Sequence, residues 1–394
     1  MAAPTAPNLT VSPVSSSQID CQWNAVAGAT GYTLERRSRE YFQLTIDTRQ
    51  TATGTSGTET TFSIPASQAF AYDWWIDWGD GSAIQRATGT VGNSSAGITH
   101  DYATTGGAGE YQITIYPAGQ LNSWFRAFGF SDSMGGSDAQ ANKNKVVSPD
   151  SPLTLAMFAD ANATVVGNGV CYNMFYNCKG IGFHLGENFG FHSSWDNVTT
   201  VGDSFCAMFR GCTALSSLPS NFNLPQGITT VGDSFCGHMF RGCTALSSLP
   251  NNFNLPQGIT TVGTHSCNYM FDGCTALSSL PNNFNLPQGI TTVGAYFCNY
   301  MFNGCDHDNF KVPTGFRFPV LSQTDIDKNG VFFEMFSVTT NKTYPPQPVS
   351  AQTIINGNPA PSSARNTFRT ISQGHTQNDA RWGAGTNDLP ANWR

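Results

Sequence analysis

The sequence predicts a mainly β molecule, in which a strand-rich N-terminal third is followed by a stacked array of repeats. Cys212 to Gly232 reads CTALSSLPSNFNLPQGITTVG, and it returns from Cys243 and again from Cys274 with only Ser220 changed, to Asn251 and Asn282. Cys212, Cys243, Cys274 and Cys305 recur every 31 residues. A fixed period in the range of about 20–50 residues marks units that cannot bury their apolar side alone and stack to complete a shared core. Ahead of them, aromatic runs with period-two alternation and Gly-Asp turns predict antiparallel strands.

Residues 1–40 contain SSSQIDCQWNAVAGATGYTLERR, with Trp23 placed as a core tryptophan and Tyr32-Leu34 on a following strand. The segment resembles the first three strands of a fibronectin type III module. The rest of such a module is missing, so an apolar face and open edges must be covered. Two arrangements do this: extension of the neighbouring domain's sheet, or completion by another subunit in an attachment role.

Residues 41–118 form the next expected domain. Tyr72 to Ser82 reads YDWWIDWGDGS and Thr99 to Ile115 reads THDYATTGGAGEYQITI. Trp75 and Asp77 alternate with Ile76 and Trp78, Gly79-Asp80-Gly81 supplies a positive-φ turn, and Phe42-Leu44-Ile46 and Phe62-Ile64 start further strands. The pattern resembles the polycystic-kidney-disease type of immunoglobulin-like β-sandwich. Asp77 and Asp80 are expected to hold their own turns and not calcium, because EF-hand spacing is absent. Residues 119–150 are expected to be a linker or an N-terminal cap.

The array is placed at 151–394, with a unit beginning at Ile228: ITTVGDSFCGHMFRGCTALSSLPNNFNLPQG. Phe235, Cys236, Met239, Phe240 and Cys243 approximate helical spacing and predict a short helix or helical turn over Gly232–Gly242. Ala245, Leu246 and Leu249, closed by Pro250, predict the parallel strand. Phe253 and Leu255 give a second apolar pair, and Ile259 and Val262 open the next coil. Looser copies run upstream (TVVGNGVCYNMFYNC, LGENFGF) and downstream (VPTGFRFP, FFEMF), with LPANW as a terminal coil.

Val231-Gly232, Met239-Phe240, Gly242-Cys243, Leu246 and Leu249-Pro250 resemble the coils of leucine-rich-repeat surface proteins of the BspA type. The resemblance implies a leucine-rich-repeat solenoid and a surface-displayed adhesin. The inserted NNFNLPQG makes each coil longer than that family's common unit.

Ten of the 11 cysteines lie in the repeats. Within a pair such as Cys236 and Cys243, seven helical residues span about 10 Å, beyond the ~5.5 Å that a disulfide prefers between Cα atoms. No C-x2-C spacing or periodic histidine suggests zinc. A ladder of small buried thiols and bridges between successive coils both remain, since equivalent strand positions lie about 4.8 Å apart.

Charged residues are only 11%, and the net charge is −7 with no basic cluster, which argues against a nucleic-acid surface. The first residues, MAAPTAPNLTVSPVSSSQ, lack a signal-peptide pattern, and no run is long enough to span a bilayer. The expected location is extracellular, on a bacterial or virion surface, after signal removal or by release within a phage particle.

Of the seven histidines, His100 adjoins Asp101 and His307 lies between Asp306 and Asp308, and no hydrolase, zinc-protease or phosphate-loop motif occurs. No enzyme, cofactor or metal is expected; a glycan-processing enzyme would need an acidic pair that the repeats do not spell. The copies differ in the expected helical half. Asp233-Ser234 becomes Thr264-His265 and Ala295-Tyr296, Gly237-His238 becomes Asn268-Tyr269 and Asn299-Tyr300, and Arg241 becomes Asp272 and Asn303. His238, Arg241, His265, Tyr269, Asp272, Tyr296, Tyr300 and Asn303 are thus candidate contacts for a protein or glycan partner, with the tyrosines as anchors. Neutral drift on a solvated face after recent duplication is the alternative. The functional expectation is a non-enzymatic adhesin; the alternative is a phage head-decoration or tail-fibre protein, with residues 1–40 docking onto other virion subunits.

Overall fold

The computed structural model describes the backbone of 9–13 and 19–23 and residues 40–310 apart from 52–53, 56, 67–69, 91–96, 119–122, 131–138 and 308–309. It further describes Pro313, Phe316, Pro319, Leu321, Gly330–Phe332 and Met335. Two units separate at Arg39 and Glu40. In the first, β1 (Leu9–Pro13) and β2 (Ile19–Trp23) pair antiparallel, Leu9 opposite Trp23. The third strand expected at Tyr32-Leu34 lies outside the described residues, as does the LPANW coil.

The second unit begins with β3 (Phe42–Asp47), β4 (Thr61–Ile64), β5 (Tyr72–Asp77), β6 (Gln85–Gly89), β7 (Ile98–Asp101) and β8 (Glu110–Pro117). Alternation drives these strands: Phe42, Leu44 and Ile46 are fully buried, and Trp74 and Ile76 turn inward while Trp75 and Asp77 are half-buried. An antiparallel sheet runs β6-β5-β8-β3 and ends on a strand from Val146–Pro149, β9, and β4 pairs with β7. Here β9 comes from the segment expected as linker or cap, and it pairs with β3 through a register shift at Thr45/Ile46. The same segment drives Phe125 against Phe42 (4.5 Å between centroids) and Phe128 against Phe175 (6.0 Å). The described parts of 119–150 therefore extend the first sheet through β9 and pack on the first repeat through Phe128 and Phe130, with Trp124, Phe125, Phe128 and Phe130 buried.

The WGDG turn works as its sequence suggests. Gly79 has φ 77°, and a Cβ there would collide with the Gln112 carbonyl oxygen. Asp77 accepts from Gly79 N and Asp80 from Ser82 N, both at 3.0 Å.

Helix is scarce: α1 (Ala139–Asn144) and short 3-10 turns. The rest of the unit is the repeat stack. A parallel five-stranded sheet forms from β10 (Val165–Val166), β11 (Thr200–Val201), β12 (Thr230–Val231), β13 (Thr261–Val262) and β14 (Thr292–Val293). The strand is thus ITTV, not the expected ALSSL segment. β-branched Thr and Val suit a pleated ladder, and Thr230 and Gly232 both donate to the preceding repeat, at 3.0 and 2.8 Å. In ALSSL, Leu246 N turns back to Cys243 O and Ser247 N alone of the pair Leu246-Ser247 reaches the neighbouring repeat, at Ser216 O; Pro250 has no donor.

Phenylalanine columns fill the interior. Phe175, Phe209, Phe240, Phe271 and Phe302 stack at 5.8, 5.5, 5.4 and 5.4 Å, and Phe189, Phe222, Phe253, Phe284 and Phe316 at 6.3–6.4 Å. Their ends show that the looser copies stack in the aligned register; Phe302 N also donates to Met335 O, as Phe271 N does to Met301 O. The inserted NNFNLPQG is held by an amide network. Asn254 Oδ1 accepts from Leu255 N, Asn285 N and Gln257 Nε2, and its Nδ2 donates to Asn283 O at 2.8 Å.

Candidate binding strip

The stretch that precedes each second cysteine is not a helix. Ser234, His238 and Gly242 have φ of 53°, 58° and 73°, and the same holds at His265, Tyr269 and Gly273, then at Tyr296, Tyr300 and Gly304. A left-handed residue at every fourth position breaks any α-helix. Ser234, Cys236, His238, Phe240 and Gly242 donate their N–H groups to the next repeat at 2.7–2.9 Å, while Gly237, Met239, Arg241 and Cys243 donate three residues back. This alternation satisfies the backbone and turns Phe235-Cys236 and Met239-Phe240 into the core. The left-handed residues between them lie half-buried at the surface.

All eight sequence-predicted residues come together there, in three columns. His238, Tyr269 and Tyr300 stack at 5.0 and 4.8 Å with interplanar angles of 6° and 11°. His265 and Tyr296 stack at 4.8 Å. Arg241 Nε lies 2.7 Å from Asp272 Oδ2, and Asn303 Nδ2 donates to Asp272 Oδ1 at 2.5 Å. The columns are cross-tied, since the Arg241 guanidinium sits 4.6 Å over the Tyr269 ring. The tyrosines differ from the expected separate anchors: their ring faces are turned on one another along the stack. This stacking and the inter-repeat hydrogen bonds offset a left-handed backbone that costs of the order of 1–3 kcal/mol per non-glycine residue.

Electrostatics follow from this packing. Burial, with Arg241, Arg210 and His265 nearby, lowers the His238 pKa to about 4. Burial raises the Asp272 pKa although Asn303 and Arg241 pull it down. Sequence reasoning missed Tyr176 and Arg210, which occupy the Arg241 column on the two preceding repeats; their shared spacing before Cys178, Cys212 and Cys243 was the available signal. The Arg210 guanidinium lies 5.5 Å from the Tyr176 ring, which Lys143 Nζ approaches at 5.1 Å.

The ten repeat cysteines are buried free thiols. Cys236 Sγ lies 3.2 Å from Cys267 Sγ, and Cys212, Cys243, Cys274 and Cys305 each donate to a phenylalanine carbonyl of the preceding repeat at 3.0–3.3 Å. Burial pushes the Cys243 thiol up to about 12 and Cys236, Cys274 and Cys298 well above the ordinary thiol range.

Elsewhere, His100 Nε2 lies 2.7 Å from Asp80 Oδ2, and its ring stacks on Trp78 at 4.8 Å. Burial opposes ionisation of Asp80, but bonds from Ser82, Thr105 and His100 hold its pKa well below the usual range. Asp101 caps the turn at Ala103 and accepts from Thr60. These groups pin the β7 turn to the WGDG hairpin. Among the described residues no group of three or more His, Cys, Asp or Glu is placed to hold a metal, and no helix is long and apolar enough to cross a membrane. Comparison with protein families, with characterised proteins and with solved structures finds no match.

Proposed function

We propose that the chain is a non-enzymatic, surface-displayed binding protein of the BspA leucine-rich-repeat type. In this reading the repeat stack is a solenoid, the preceding sheets form an immunoglobulin-like sandwich, and a protein or glycan partner is taken along the strip, outside the cell. The observation that carries it is the gathering of eight variable repeat residues, His238, Tyr269, Tyr300, His265, Tyr296, Arg241, Asp272 and Asn303, into three columns of aromatic, charged and amide groups on one face. Aromatic rims and a guanidinium offer large contact area at low entropic cost. The test is binding of labelled protein to a glycan array and to bacterial cells, against variants carrying Tyr269→Ala, Tyr296→Ala and Tyr300→Ala. Loss of about tenfold or more in affinity for the bound target is expected; unchanged binding by the folded triple variant removes the reading.

A second reading, a phage virion component, draws support from the separation of residues 1–39 as a unit of their own with a two-stranded hairpin. That segment would then be the docking element. Capsid and tail genes beside this one would favour it over the cellular adhesin.

A further inference from the structure

Asn177 N donates to Arg210 O at 2.8 Å, and Gly211, Gly242 and Gly273 donate in turn to the carbonyls of Arg241, Asp272 and Asn303 at 2.7–2.8 Å. Tyr176, Arg210, Arg241, Asp272 and Asn303 therefore occupy one column on five successive repeats. Within it Arg241 meets a carboxylate, Asp272, on the following repeat. For Arg210 the following repeat offers Arg241 in place of an acid; among the described residues no carboxylate lies within ion-pair distance of it, and Asp272, two repeats on, feels its charge only at longer range. Its guanidinium is held over Tyr176, and that column position is half-buried, with the Arg241 side chain 35% exposed.

We propose that Tyr176, Arg210 and Arg241 form a subsite for a carboxylate-bearing saccharide of the uronate class, lying along the stack. The proposal rests on the binding-strip reading above and names its ligand chemistry. A ligand carboxylate takes beside Arg210 the role that Asp272 takes beside Arg241, and the guanidinium fork matches it with two parallel hydrogen bonds. Tyr176 supplies an apolar ring edge for the sugar body. Arg210 and Arg241, on adjacent repeats about 4.8 Å apart, face successive acids of a uronate chain, and the column's cationic stretch ends at Asp272. A net charge of −7 disfavours denser polyanions such as nucleic acid.

The experiment is calorimetric titration of the full chain with a galacturonate hexamer, its carboxyl-reduced neutral counterpart and a hexaglutamate peptide. The expected result is binding of the first alone, weakening with salt. Arg210→Gln should weaken it about tenfold or more with the melting temperature unchanged, and Arg210→Lys should fall between. Absence of binding by the wild type, equal affinity for either control, or an affinity untouched by Arg210→Gln overturns the assignment. If the hexamer fails while the tyrosine variants still lose their array or cell target, the strip reading stands and only the uronate subsite is lost.

Discussion

His238 joins the backbone and the surface chemistry of the strip. Its left-handed φ sends the ring out of the core, Tyr269 covers one face, and two arginines lie close enough to disfavour its charge. Its folded pKa, about 4, lies below the unfolded value near 6.5, so between these values the unfolded chain binds more protons. The stability contributed by neutral His238 is complete above pH ~6.5 and lost as pH falls toward ~4. Melting temperature should therefore drop across that window, and His238→Gln should flatten the His238 part of the slope. Asn254 makes a second residue-scale prediction: Asn254→Ala strips partners from Asn285 N and Leu255 N, and should cost about 1–3 kcal/mol in denaturant unfolding. The variable residues of the strip were legible because three near-identical copies isolate the positions that differ. That they share left-handed backbone was not, since Tyr carries no signal for it; the recurrent Gly211, Gly242, Gly273 and Gly304, with Asn173 and Asn177 in the earlier copy, were the visible traces.

At the scale of the element, a period-four turn and a helix bury similar patterns. Inward pairs at Phe235-Cys236 and Met239-Phe240, followed by Cys243, mimic a 3.6-residue stripe although alternate N–H groups leave for the next repeat. The strand was misplaced for a related reason: ALSSL and ITTV are both short and bounded by Pro or Gly, and only the second has the β-branched pair and free donors a ladder needs. Phe240 tests the interior these elements build. It stacks on Phe209 and Phe271, so Phe240→Ala should destabilise the protein by about 3–5 kcal/mol, read from chemical denaturation. The cysteines make the complementary prediction: the ten repeat thiols should resist an alkylating reagent at pH ~8 in the native protein and react fully in denaturant, because burial denies the reagent access to all ten, Cys267 included, whose thiolate the neighbouring Cys236 and Cys298 thiols favour.

Across the whole molecule, the repeat period exposed the stack, and alternation exposed the antiparallel strands before it. The boundary between them was not legible, because the aromatics of 123–130 and strand β9 reach the first sheet and the first repeat from a stretch without periodicity. The central claim is that 31-residue units stack in register and so place every side-chain column. Excising Ile228–Gly258 removes one such unit, brings Phe209 onto Phe271 and sets Arg210 against Asp272. Amide hydrogen exchange on this deletion, beside one that ends at Leu255, tests the claim most directly. The account predicts protection of the remaining strands and turns in the whole-unit deletion, with loss of protection in the other. Equal protection in both, or none in the whole-unit deletion, would contradict it.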